Sequence, residues 1–228
     1  CNYSGCKLTI ASLYFWANAD SPEAYDKYNK DLLRNDVRIA VKNKGPQADV
    51  ARVVYNSAKH KFVCAGISTQ EWYYFNSQTT RWEYMDGAIM LRRYINDVVT
   101  DLFAHYLQEY NDKAKELRNQ GEEDSAELWD ERAKKCSGIF TNLKTTSFKD
   151  NVVKECRDLY YDKNFLNELD ANTHLLGFEN CVFDLPAGIF RQGEPCDFVS
   201  LSCEITIDLY DNQKFPIKFN DYYKTYKK

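Results

Sequence analysis

Between residues 86 and 119, apolar side chains recur at spacings of three and four: Leu91, Ile95, Val98, Val99, Leu102, Phe103, Tyr106, Leu107 and Tyr110. Arg92, Arg93, Asp97, Asp101 and Glu109 fall between them. This spacing gives a helix one apolar stripe, which has to be buried against partners. A chain that holds such a helix must build a helical layer around it. Asp86 is the predicted cap, and Gln120-Gly121 the stop after Asn119.

The flanking sequence supplies partners for that stripe. Leu13, Phe15, Trp16 and Ala17 suggest a short buried helix near the start. In "SPEAYDKY", Ser21 suits an N-cap and Pro22 the first helical position. The pattern then runs through Tyr25, Tyr28, Leu32 and Leu33 to a break at Gly45-Pro46. Residues 47–60 read as a further helix, with Val50, Val53, Val54 and Ala58 on one side. After the long helix, a charged helix over about 122–136 carries Leu128 and Trp129, and another starts near Ser147 with Val152, Val153, Cys156 and Leu159. Residues 86–162 are therefore predicted to form a small helical bundle with short loops.

Strand patterns interrupt this helical reading twice. Phe62 and Cys64 alternate with Val63 and Ala65. The aromatic runs "EWYYF" and "RWEY", separated by "NSQTT", predict a β-hairpin from Glu71 to Tyr84, with Trp72 and Trp82 packed across it. After Asp170, "HLLGF", "CVFDL" and "IFRQG" read as short strands joined by turns at "EN" and "PAG", with "DFVSLS" as a fourth. The fold class expected is α+β: mainly a helical bundle, with β-hairpins and a small antiparallel sheet near the C-terminus. Residues 1–210 are expected to form one compact unit, and 211–228 a basic, aromatic tail or linker.

Several function classes find no support in the residues. No run of about 18 apolar residues suggests a membrane span. The phosphate-binding GxxxxGK[ST] and the dinucleotide-binding GxGxxG are both absent from the sequence. The eight cysteines include no CxxC pair, so buried thiols are favoured over zinc or a disulfide framework. Glu122, Glu123 and Asp124 suit a helix N-terminus electrostatically and need no metal. His60, His105 and His174 could serve a Cys–His nucleophile, but structural roles are the favoured reading. No catalytic residue, metal ligand or cofactor is assigned.

What remains is aromatic residues interleaved with basic ones, a combination that can stack bases and hold phosphates. Net charge is −4, so any nucleic-acid contact must be local. The candidates are Lys59 and Lys61 in "KHKF", Arg92 and Arg93 in "LRRY", and Lys214, Lys218, Lys224, Lys227 and Lys228 in the tail.

Three stretches together resemble a known family. "SLYFWANADSPEAYDKY" is similar to a "yyWA..d.pe.Y" segment of viral primase–helicases. "EWYYFNSQTTRWEYMD" resembles their "WY.f....W" hairpin before a long helix, and "HLLGFENCVFDLPAGIFRQGEPCDFVSLS" their "l.F.NGv.dl..g.fr...p.d..s" region. The chain thus resembles the domain that precedes the superfamily 3 helicase in poxvirus and giant-virus primase–helicases, and in phage and plasmid primases, over about residues 10–205. One departure is Cys181 after Asn180, where the family has glycine. Either the turn type differs, or Cys181 already belongs to the strand.

The resemblance implies a non-catalytic domain of a parent ATP-dependent helicase or primase, located inside the host cytoplasm or a viral replication factory. It implies coupling of primase to helicase ring, a homo-hexamer in the full-length protein, and weak contact with single-stranded or forked DNA. The strand run after His174 would be scaffold. A protein–protein scaffold that never touches nucleic acid is the alternative.

Overall fold

A computed structural model describes residues 20–207. Helix α1 spans Pro22–Lys42 and α2 Gln47–Ala58. Ser21 occupies the N-cap position of α1, with Pro22 in the first turn, but its hydroxyl makes no capping hydrogen bond. The turn between these helices is fixed by Gly45. Its φ of 71° suits glycine, and its N–H donates to the Ala40 carbonyl at 2.8 Å. A Cβ there would lie 2.5 Å from Ile139 Cγ1, so the close approach to the helix carrying Ile139 also requires glycine.

A first antiparallel sheet follows, with strands β1 Phe62–Gly66, β2 Glu71–Asn76 and β3 Arg81–Met85 in that order. The predicted hairpin forms, but its tryptophans do not pack across it. Trp72 pairs with Met85 and Trp82 with Phe75, an odd offset that puts them on opposite faces. Trp72 sits against Tyr160, ring centroids 6.0 Å apart. Trp82 packs on Phe165 at 5.1 Å. The sheet therefore divides the molecule: Phe62, Cys64, Trp72 and Met85 face the helices, and Trp82 faces the C-terminal strands.

The long helix is continuous from 89 to 119, as α3 Ile89–Tyr94, a π-helical stretch Ile95–Val99 and α4 Thr100–Asn119. Asp86 does not cap it. A short 3-10 turn, Asp86–Ala88, intervenes, and Ala88 takes the N-cap position with left-handed geometry. The π stretch widens one turn, and the Thr100 hydroxyl donates to the Ile95 carbonyl at 3.0 Å. The extra residue turns the stripe: Leu91, Ile95, Val99 and Phe103 are fully buried, while Val98 is 45% exposed.

Helix α5 spans Glu123–Leu143, seven residues beyond the predicted end, and lies along α4. Its buried face is made of Ala126, Ala133, Cys136, Ile139 and Leu143. Leu128 is exposed, and Trp129 packs on Tyr110 at 5.6 Å. Helix α6, Thr146–Tyr160, packs against α2 and buries Val152, Cys156 and Tyr160, leaving Leu159 partly exposed. The bundle thus includes α1 and α2 and is wider than the 86–162 expected. One apolar core joins its helices to the first sheet, running from Val37 and Val53 through Trp72 and Phe103 to Ile139 and Val152.

A short helix α7, Phe165–Glu168, leads to a second antiparallel sheet of β4 Leu175–Gly177, β5 Val182–Asp184 and β6 Ile189–Arg191. Neither Asn180 nor Cys181 has positive φ. The turn closes instead through the Phe178 N–H on the Cys181 carbonyl at 2.9 Å, with Cys181 buried at the foot of β5. The Asn180 amide exchanges hydrogen bonds with the Ile207 backbone, at 2.8 and 3.0 Å. "DFVSLS" forms no strand. It makes isolated backbone bonds, such as the Trp82 N–H to the Val199 carbonyl at 2.8 Å. Among the described residues no helix is long and apolar enough to cross a membrane.

Candidate nucleic-acid interface

The turn after α2 carries Lys59 and Lys61, α3 carries Arg92 and Arg93, and Tyr94 links the two segments. Lys61 immediately precedes β1, and its Nζ lies 5.7 Å from the centroid of the Tyr94 ring. The Tyr94 hydroxyl donates to the Ser57 carbonyl at 3.0 Å, and its ring meets Phe62 edge-on at 5.7 Å. Tyr94 is thus a fixed post between the Lys59–Lys61 turn and the helix that carries Arg92 and Arg93. Burial raises its hydroxyl pKa, so it stays a neutral donor.

The arginines differ in availability. Arg92 is paired with the Asp150 carboxylate of α6, and both side chains are partly exposed. Arg93 is exposed, and among the described residues its guanidinium approaches the Met90 sulfur, at 4.0 Å. Lys149 joins the same neighbourhood: its Nζ donates to Asn96 Oδ1 at 2.9 Å. Nothing in the local sequence around Lys149 marked it, because its place depends on α6 packing beside α3. Lys59 and His60 are half-buried and Lys61 is exposed. The five tail lysines from Lys214 to Lys228, Cys1, Cys6 and the expected helix at Leu13–Ala17 lie outside the described residues.

The opposite end of the molecule carries the other sign. Glu109, Asp112 and Glu116 of α4 line an open groove with His105, Gln108, Lys113 and Trp129. Glu123 and Asp130 of α5 flank Arg118 beside it. Such a surface repels phosphate.

Among the described residues the histidines and thiols do not assemble into a nucleophilic centre. Burial, with Lys59 beside it, pushes the His60 pKa down to about 4, so it is neutral near pH 7. Its Nε2 lies 3.5 Å from the Tyr25 hydroxyl. His105 is exposed on α4, its ring 5.9 Å from that of Tyr106, and the His174 backbone N–H donates to the Asn172 side chain. The six described cysteines are free thiols. Burial raises Cys64 and Cys181, pushes Cys196 up to about 11 and Cys136 up to about 12, and raises Cys156 further. Thiols held in that range are poor nucleophiles at neutral pH. Among the described residues no group of three or more His, Cys, Asp and Glu side chains converges on a metal position.

Comparison with known proteins supplies the context for this surface. A family model described as "D5 N terminal like" matches residues 51–219. A protein of Acanthamoeba polyphaga mimivirus named "Putative helicase" is 34% identical over 203 residues, covering 88% of this chain and 20% of the relative. A like-named protein of Frog virus 3 is 26% identical over 221 residues, 85% of this chain and 22% of the relative. A third, from Invertebrate iridescent virus 6, is 24% identical over 258 residues, 95% of this chain and 26% of the relative. The chain spans between a fifth and about a quarter of the length of these relatives.

Proposed function

Because the chain belongs to the D5 N-terminal-like family, we propose that it is a non-catalytic domain of a viral replicative primase–helicase. Its work is to couple the primase to the helicase ring, to support assembly of that ring as a homo-hexamer, and to hold DNA weakly. ATP hydrolysis and strand separation belong to the parent protein, inside the infected cell, in host cytoplasm or a viral factory. The tail from 211 leads towards the motor.

The observation that carries the DNA reading is Lys61 over the Tyr94 ring with exposed Arg93 next to it in sequence, and Lys149 held by Asn96 on the same helix. These three cations come from separate segments of the chain: the turn before β1, α3 and α6. Phosphate contact of this kind is independent of sequence and falls with salt. Arg93 and Lys61 are the main contacts. Arg92 contributes less while Asp150 holds it, and Lys59 and the tail lysines are further contact candidates.

Titration of the chain against labelled single-stranded and forked DNA, by fluorescence anisotropy at low and moderate salt, tests this. Salt-sensitive binding with little sequence preference is the expected result. No binding at high micromolar protein would overturn DNA contact and leave the second reading, a protein–protein scaffold. The acidic groove around Glu109, Asp112 and Glu116 favours that reading, since it suits a basic protein partner better than DNA.

A further inference from the structure

The second sheet and the segment after it form a lobe with a core of its own. Phe178, Cys181, Phe183 and Ile207 are buried together, with Phe190 against them, apart from the main core. The covalent link to the helical body runs through residues 170–174, all exposed. Contact across the junction concentrates on three consecutive residues of the first hairpin. The Arg81 guanidinium holds both Glu179 carboxylate oxygens at 3.2 and 3.1 Å and reaches the Phe178 carbonyl at 3.4 Å. The Trp82 indole N–H donates to the Pro195 carbonyl at 2.8 Å, and its backbone N–H to Val199. The Thr80 carbonyl abuts Gly193 so closely that a Cβ there would collide with it. Beyond these, Phe165 meets Phe198 at 6.0 Å.

Thr80 fits poorly in a settled seam. It is β-branched at a φ of 52°, it is 4% exposed, and its hydroxyl has no hydrogen-bond partner. Asp170 and Phe198, at the other side of the junction, have φ of 57° and 53°. Three of the seven described non-glycine residues at positive φ thus lie where the two cores meet. The Asp170 carboxylate accepts from the Ser200 hydroxyl and from the N–H groups of Ser200 and Leu201, which ties the ends of the lobe together at its root. Strain concentrated between two separately packed units marks a joint that moves.

We infer that residues 170–207 form a clasp that opens from the helical body as one unit, hinged at Asp170 and latched by Thr80, Arg81 and Trp82. Opening parts the two cores without unfolding either, and uncovers Trp82 and Phe165. Ile207 is buried in the clasp's own core, so force on the chain beyond it acts first on the clasp. The Arg81–Glu179 pair is partly exposed, so added salt loosens the latch. The inference does not depend on DNA contact.

Hydrogen exchange on the 228-residue chain, read by mass spectrometry, tests it. Amides of Val182 and Phe183 should exchange at least about tenfold faster than those of Val53, Phe103 and Ile139. Arg81→Ala should speed the clasp amides by about a further tenfold and leave the helical amides unchanged. Thr80→Gly, which relieves the positive φ and removes the unpartnered hydroxyl, should slow clasp exchange. Clasp and helical amides that exchange alike and shift together in Arg81→Ala would show one cooperative unit and overturn the clasp. Clasp rates unmoved by Arg81→Ala would overturn the latch, and faster clasp exchange in Thr80→Gly would overturn the strain.

Discussion

Trp72 and Trp82 belong to one β-hairpin and point to opposite faces of its sheet. Trp72 is 1% exposed in the main core, against Tyr160, while Trp82 is hydrogen-bonded to the Pro195 carbonyl and meets Phe165 edge-on in the junction. Truncating each should have a different reach. Trp72→Ala should cost about 3–5 kcal/mol and lower the midpoint of the whole unfolding transition, read by far-UV circular dichroism in urea. Trp82→Ala should leave the helical signal and its midpoint nearly in place and speed hydrogen exchange in β4–β6. Equal loss of helical stability in both variants would contradict the division of the molecule by this sheet.

On the proposed DNA face, charge reversal should separate three neighbouring cations. Arg93→Glu and Lys61→Glu should each weaken binding to single-stranded DNA without changing the melting temperature, and should lower the salt slope by about one. Arg92→Glu places a carboxylate opposite Asp150, so it should lower thermal stability as well as affinity. Unchanged affinity in Arg93→Glu and Lys61→Glu together would remove Tyr94's surroundings from the interface.

The helices were legible because their apolar spacing is set by packing, and the residues at Leu91, Ile95, Val99 and Phe103 are the buried ones. Val98 was misplaced because a π turn adds a residue that spacing alone does not reveal. Helix α5 was cut short because its buried face is largely small, with Ala126, Ala133 and Cys136, and hydropathy gives such a face little contrast. The opposite faces of Trp72 and Trp82 follow from register, which depends on how the "NSQTT" turn closes. Around Tyr94 the sequence marked Lys59, Lys61, Arg92 and Arg93 as separate pairs. The seating of Lys61 over Tyr94, the capture of Arg92 by Asp150 and the contact of Lys149 with Asn96 depend on helix packing, which local pattern does not encode.

His60 gives the fold a pH dependence of definite sign. Its pKa is about 4 in the folded chain, against about 6.5 when unfolded, so the unfolded state binds more protons between those values. The stability this group contributes is present above about pH 6.5 and is lost as pH falls towards 4. The side chain is only half-buried, so water screens part of the effect, and the loss should not exceed about 2 kcal/mol. Urea midpoints at pH 7 and pH 5 should differ more in the wild type than in His60→Gln. An identical pH dependence in both would show that other groups carry it.

Gly45 joins α1 to α2 at a φ of 71° and lies against Ile139 of α5. Gly45→Ala meets both obstacles at once: a left-handed backbone that an L side chain resists, and a Cβ without room. A loss of about 2–4 kcal/mol is expected, combining strain and overpacking. Truncating the neighbour with Ile139→Ala, which removes both Cγ1 and Cδ1, should make Gly45→Ala cost less in that background than in the wild type, because the clash is with the Ile139 side chain. Additive losses in the double variant would show that backbone strain alone accounts for Gly45.

The thiols should react in an order set by burial. Cys203 is exposed, whereas Cys64, Cys136 and Cys156 are fully enclosed and burial holds them protonated. Iodoacetamide near pH 7.5 followed by peptide mapping should modify Cys203 early, and Cys136 and Cys156 only in denaturant. Cys181 lies in the small core of the C-terminal lobe and Cys196 beside the Arg191–Asp197 ion pair, so both should label at an intermediate rate that follows lobe opening. Arg81→Ala should then accelerate Cys181 and Cys196 and leave Cys136 and Cys156 protected. Labelling of Cys181 as slow as that of Cys156, in both the wild type and Arg81→Ala, would mean that the small core opens only when the whole chain unfolds.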